Sequence, residues 1–335
     1  MSEAKERSML AGLVFAALPL AALPQPYAGK TATIVVGYKP GGGYDATARL
    51  LARHLPKHIP GKPTMIVQNM PGANSLIAAN HMYNVAKPDG LTIGTFNRNL
   101  PIAQLTKVDG VKFDMTKFAW IGSAASESTI LAIRTDLPYR TFDELRKSGK
   151  QVVIGATGPG ANTYDFPLLL KELLGVNIKI VSGYSSSADI MLAIERKEVD
   201  GRAGSLSSIT PFIDRKLVRP LIRARASGPG SEDLPVDESL APNPRAKAIM
   251  ALRSAPDVIG RPYVMPPQTP DEMVKIMREA FAKVVKDTEL VAEAKKAKME
   301  LEFVHGDKAQ KVIREVLDQP KDVVDEFSKY IKFGE

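Results

Sequence analysis

Cysteine is absent from the 335 residues. Its absence excludes disulfides, thiolate catalysis and Cys-ligated zinc or iron–sulfur sites. Aromatic residues are scarce, 6% with a single Trp, which argues against a stacking platform for single-stranded nucleic acid. Beyond the first two dozen residues no apolar run is long enough to span a bilayer. The four histidines form no H-E-x-x-H, and there is no G-x-S-x-G nucleophile elbow. His54 and His58 have the i,i+4 spacing of a zinc pair, but Pro56 lies between them and no third ligand presents itself, so no metal is expected. Acidic residues are missing altogether between Asp45 and Asp89.

What is present is ordinary for a folded chain: 44% hydrophobic and 24% charged residues. Lys+Arg exceed Asp+Glu by 45 to 37, a net charge of +8 that suits acidic ligands. The Lys/Arg of the C-terminal part interleave with Glu, as solvated helix faces do, so no nucleic-acid partner is expected. The length exceeds one usual domain core, so two lobes are expected. Lys5 and Arg7 precede the short apolar run 9–23, interrupted by Pro19. A basic start, a short apolar core and Ala28 fit a secretory signal peptide over 1–28, hence export.

Short β-rich runs alternate with helical patterns, the mark of α/β layering around parallel strands. Strands are expected at 33–38, 64–68, 91–96 and 130–134, with helices at 47–55, 74–85 and from 141. A second set follows: strands at 151–156, 178–181, 202–206 and 218–224, helices at 164–174 and 188–196, and one after Ser208. Pro167 falls in a first turn and Gly175 caps a helix end. Thr269 and Pro270 read as cap and first position of a helical C-terminal region.

Two glycine loops stand between a strand and a helix. The first, KPGGGYDATAR (39–49), holds Gly41, Gly42, Gly43, Tyr44 and Asp45; the second, TGPGANT (157–163), holds Thr157, Gly158, Gly160, Ala161, Asn162 and Thr163. Glycine lets the backbone come close to a ligand, and a following helix aims free N–H groups and its positive dipole end at that spot. One loop per lobe predicts a cleft for a ligand with one or two carboxylates, held by backbone amides rather than arginines. Asp45 reads as a helix cap or a ligand contact. The serine clusters 185–187 and 205–208 read as caps or as lining of the same cleft. Gly41, Gly43 and Ala46 match G-x-G-x-x-A, but the acidic residue a ribose needs at the end of the second strand is missing; that position holds Gln68 and Asn69. No P-loop lysine follows either loop. No cofactor is expected.

The order of motifs resembles the Bug-type receptors of tripartite tricarboxylate transporters. The residues that carry it are YKPGGGYDATARLLA (38–52), VQNMPGANSLIAAN (67–80), PDGLTIG (88–94), LAIRTDLPYRTFDEL (131–145), GYSSSAD (183–189), EVDGR (198–202) and PPQTPDEMV (266–274). The resemblance implies a periplasmic binding protein type II fold, two α/β lobes with a ligand cleft between them. Lobe 1 would comprise 29–130, lobe 2 131–226, and 227–335 would return to lobe 1 with C-terminal helices. It implies a monomeric periplasmic protein that captures a small carboxylate without catalysis and delivers it to membrane permease subunits. Carried onto this chain, the ligand is held by 41–45 and 157–163, with Asn97 and Ser205 at strand ends as further lining. Tyr44 stands where the family commonly has Thr, and the second loop lacks the family's usual Gly-Ser-Gly-Ser form, which leaves the ligand open. The rival reading is a Rossmann-like enzyme acting on a carboxylate or nucleotide.

Overall fold

The computed structural model describes residues 25–331 apart from 126, 298 and 300. Residues 1–24 of the expected leader therefore lie outside the described residues. No helix among the described residues is long and apolar enough to cross a membrane.

The chain forms two α/β lobes, each around its own sheet. Sheet one contains β1 (Thr31–Val36), β2 (Thr64–Asn69), β3 (Thr92–Thr95) and β4 (Ala119–Ser123); sheet two contains β5 (Thr129–Arg134), β6 (Val152–Gly155), β7 (Ile178–Val181), β8 (Gly201–Ser205) and β9 (Val218–Arg223). The chain then returns to sheet one with β10 (Pro262–Met265) and β11 (Val304–His305). The strand orders are β11-β4-β10-β3-β1-β2 and β7-β6-β8-β5-β9. In sheet one β1 runs parallel to β2 and β3, while β10 inserts antiparallel between β3 and β4. In sheet two β6 is parallel to β7 and β8, and β5 is antiparallel to β8 and β9.

The helices are α1 (Gly43–His54), α2 (Leu76–Asn84), α3 (Leu100–Leu105), α4 (Phe142–Ser148), α5 (Asn162–Leu174), α6 (Ser187–Glu195), α7 (Leu206–Asp214), α8 (Pro244–Ser254), α9 (Asp271–Val284), α10 (Thr288–Lys296), α11 (Gly306–Leu317) and α12 (Lys321–Tyr330). The apolar stripe of α9, Met273, Met277, Ala280, Phe281 and Val284, packs with Ile34, Val36, Tyr263 and Met265 of sheet one. Phe166 and Leu170 of α5 pack with Leu131, Ile133 and Ile154 of sheet two. A third cluster ties the lobes: Ile102 of α3, Leu169 of α5, Leu252 of α8 and Phe327 of α12 bury one another.

Several boundaries differ from the sequence reading. α1 starts at Gly43, not 47, because extended Gly42 (φ −83°, ψ 171°) occupies the cap position and releases the chain into the helix at once. α5 starts at Asn162, so Pro167 lies in the second turn rather than the first. Gly175 does end α5 with φ 71°. Thr269 is not a cap; its hydroxyl donates to the Pro266 carbonyl and α9 begins after Pro270. The segment 74–85 opens with positive φ at Ala73, Asn74 and Ser75 before α2 begins. Three strands were not expected from sequence: β10 stands among prolines, which read as turn residues, β11 has only two residues, and β4 shows no strand-like run.

Candidate functional site

Strands β1, β3, β6, β7 and β8 all deliver their carboxyl ends to one place, where ligands bind in open α/β sheets. The cap residues of four helices face it: Gly42 of α1, Ala161 of α5, Ser186 of α6 and Ser205 of α7. The first N–H groups of a helix have no intrahelical acceptor, and the dipole makes that end positive. The cavity they enclose measures about 80 Å³.

Of the residues expected from sequence, Gly42, Gly43, Tyr44, Asn97, Thr157, Ala161, Asn162, Thr163 and Ser205 line this cavity. Gly41, Asp45, Gly158 and Gly160 do not. Asp45 is buried, and its carboxylate accepts from the Gly41 amide (3.0 Å), Arg49 Nε (3.0 Å) and Asn69 Nδ2 (2.9 Å). It braces the first loop and meets no ligand space. Asp165 does the same for the second loop, accepting from the Gly160 amide at 2.8 Å. Asn97 Nδ2 donates to the Gly160 carbonyl (2.8 Å), and Asn99 Nδ2 to Asn162 Oδ1 (2.7 Å), so the turn after β3 holds the second loop across the cleft. Ser186 is both a cap, accepting from the Asp189 amide, and a wall residue.

The two bracing aspartates differ electrostatically. Burial pushes Asp45 up, but Arg49, the Gly41 amide and Asn69 together hold it below the usual range. Burial pushes Asp165 up to about 7, against the weaker pull of the Gly160 amide and Arg253. Its unfolded carboxyl loses its proton near 3.9. Between about pH 4 and 7 the folded state therefore binds more protons, and stability falls as pH rises through that window. Asp165→Asn keeps the acceptor and removes the charge. It is expected to be more stable than the parent at pH 8 by a few kcal/mol, on the order of 1.4 for each tenfold change in proton affinity, and equal to it at pH 4. Urea titrations at both pH values measure this; equal curves at pH 8 count against it. Asp237, pushed up to about 6 by burial, leaves a residual slope in both proteins.

Sequence reasoning missed the arginines. Arg98, Arg202 and Arg261 line the cavity, contrary to the expectation of a site without them. Arg98 Nε pairs with Asp257 at 2.8 Å, and Asp257 also receives Arg253 at 3.1 Å and Asn162 Nδ2 at 2.9 Å. Burial pushes Asp257 up, but Arg253 and Arg98 outweigh it and hold the carboxyl below its ordinary range. Arg261 Nη2 pairs with Glu127 at 2.8 Å, and its Nη1 donates to Thr47. A Cβ on Gly43 would stand 2.6 Å from Arg261 Nη2, so that glycine gives way to a protein side chain. Tyr38 and Tyr44 stack on each other (5.1 Å between centroids) at the wall, and the Tyr44 hydroxyl accepts from the Arg98 amide. Tyr38, Gly204, Ser187 and Ser208 complete it.

His54, Asp287 and Glu289 offer ligand atoms within 4.8 Å of one another. Lys57 already pairs with both carboxylates, so the cluster holds its own cation.

A two-lobed α/β protein with a cationic cleft of this construction belongs to the binding-protein class. The model of the tripartite tricarboxylate transporter family receptor matches residues 47–328, and the chain belongs to that family. A curated relative, the UPF0065 protein in the gbd 5′ region of Cupriavidus necator, is 31% identical over 158 residues, 47% of this chain. The match spans 45% of that relative's length. Among solved structures, the periplasmic binding protein BugD superposes with a TM-score of 0.73 at 20% identity, covering 91% of this chain and 100% of its own. MatC of Rhodopseudomonas palustris with bound malate gives 0.69 at 19% identity, covering 88% and 99%. At such identities the likeness is one of fold.

Proposed function

We propose that this protein is a periplasmic receptor that captures a small organic acid one-to-one, without turnover, and hands it to the membrane permease subunits of a tripartite transporter. The observation that carries the reading is the convergence of four helix N-termini and three guanidinium groups on one small cavity. The helix ends and Arg202 contribute positive potential where an anion would sit, while Arg98 and Arg261 are paired with buried carboxylates. MatC, of the same fold, holds malate. No Asp or Glu among the described residues lines the cavity; Asp257 and Glu127 are tied to arginines and Asp45 and Asp165 to loop amides, so none is placed as a general base. That disfavours the Rossmann-like enzyme. Export by residues 1–28 and action as a monomer belong to the same reading.

Titration calorimetry with malate, succinate and benzoate tests it. At least one is expected to bind with unit stoichiometry, and NMR of the recovered ligand to show no conversion. Chemical conversion of a bound acid, or no heat from any at millimolar concentration, overturns the proposal.

A further inference from the structure

Three guanidiniums line the cavity, and they are not equivalent. Arg261 is paired with a buried carboxylate of its own, Glu127, and Arg98 with Asp257, which it shares with Arg253. Arg202, on β8, has no carboxylate partner among the described residues and is 1% exposed. Its Nη1 donates to the Ser187 carbonyl at 3.0 Å and its Nη2 to Ser208 Oγ at 2.6 Å, both neutral acceptors. Its Nε has no hydrogen-bond partner among the described residues. Of the five N–H donors of a guanidinium, two are thus used. The backbone makes room for this group: a Cβ on Gly204 would lie 2.6 Å from Arg202 Nη2.

A buried, unpaired charge is costly for a protein at rest, because desolvation is not repaid by a counter-ion. Burial, with Arg261 nearby, accordingly pulls its pKa down to about 10, still charged at neutral pH. Such a group persists where a ligand supplies the missing charge.

Building on the receptor reading above, we propose that Arg202 is the specificity-determining anchor of the site: one carboxylate of the ligand pairs with its guanidinium, and Arg98 and Arg261 only shape the wall. The planar fork favours a carboxylate, which it can meet with two parallel hydrogen bonds. Amides and alcohols of the same size leave the charge unpaired and are rejected.

The test uses malate, succinate and benzoate with the full-length protein and its Arg202→Gln variant, and Arg202→Met as a second. Each variant is expected to bind the best of these acids at least tenfold more weakly, and about a hundredfold for a fully desolvated pair. The empty variants are expected to melt about 2–4 °C higher than the empty parent, since an unpaired charge has been removed. A wrecked site would instead melt lower. Independently of any variant, the parent is expected to bind the neutral amide of the acid, with every carboxylate amidated (malamide, succinamide or benzamide), at least tenfold more weakly than the acid itself. A loss of less than tenfold in either comparison, or a lower melting temperature of both empty variants, overturns the Arg202 anchor and leaves the receptor reading standing. Failure of the parent to bind any of the acids overturns both.

Discussion

Asp257→Ala is expected to lower stability by about 3–5 kcal/mol, the range for breaking a buried pair from one side, and to abolish carboxylate binding. Asp257 is fully buried and serves two guanidiniums, Arg98 at 2.8 Å and Arg253 at 3.1 Å. It also accepts from Asn162 Nδ2, at the start of α5. Alanine leaves both charges buried without a counter-ion and frees the first residue of a helix that faces the cavity. Arg98, no longer held, has the ligand space as its nearest refuge from desolvation. Asp257→Asn keeps an acceptor without the charge and is expected to fall between parent and alanine variant. Thermal melts and calorimetry measure both effects. An alanine variant that melts like the parent would show that the ion-pair triad does not support the cleft.

Gly160→Val is expected to reduce affinity about a hundredfold or more while leaving circular dichroism intact. Gly160 adopts φ 85°, a left-handed conformation open to glycine. A β-branched residue there costs about 1–3 kcal/mol in strain. The peptide is also a three-way junction: its amide donates to Asp165, and its carbonyl accepts from Asn97 and, more weakly, Asn99. Relieving the strain by turning the peptide breaks the link between the two lobes and moves the α5 N-terminus. Each charge-assisted bond that the displaced α5 start no longer gives a carboxylate is worth about 1.5–3 kcal/mol, and each 1.4 is tenfold in affinity. Gly160→Ala, less bulky, is expected to lose less. A folded valine variant that binds like the parent would show that this loop does not set the geometry of the site.

The strand–loop–helix order was legible because its signals are local. β-branched runs, glycine between strand and helix, and apolar stripes at helical spacing lie within a dozen residues of one another. Eight of the nine expected residues that line the cavity lie in the loops and serine cluster so marked; Asn97 came from the family resemblance alone. The arginines were illegible because their meaning depends on distant partners. Arg98 meets Asp257 159 positions away, and Arg261 meets Thr47 214 positions away. The glycines carry a second demand that the sequence does not show: Gly43 and Gly204 also leave room for Arg261 and Arg202. Asp45 reads as a cap or a contact, yet it and Asp165 each hold the amide of a loop glycine before its helix. A cation set between small residues in a buried strand, Gly201-Arg202-Ala203-Gly204, was the one local sign that pointed to Arg202.

The position of β10 dictates the order in which the molecule can be assembled. Sheet two uses residues 129–223 alone, an uninterrupted stretch, and can close as soon as that stretch exists. Sheet one cannot. Its strand β10 (Pro262–Met265) separates β3 from β4, so β4 has no partner in β3 and waits for a segment well over a hundred residues downstream. Pairings so distant in sequence form slowly, because loop closure comes before any contact rewards it. β1, β2 and β3 can pair among themselves early, but sheet one stays unfinished, with β4 unpaired, until most of the chain is available.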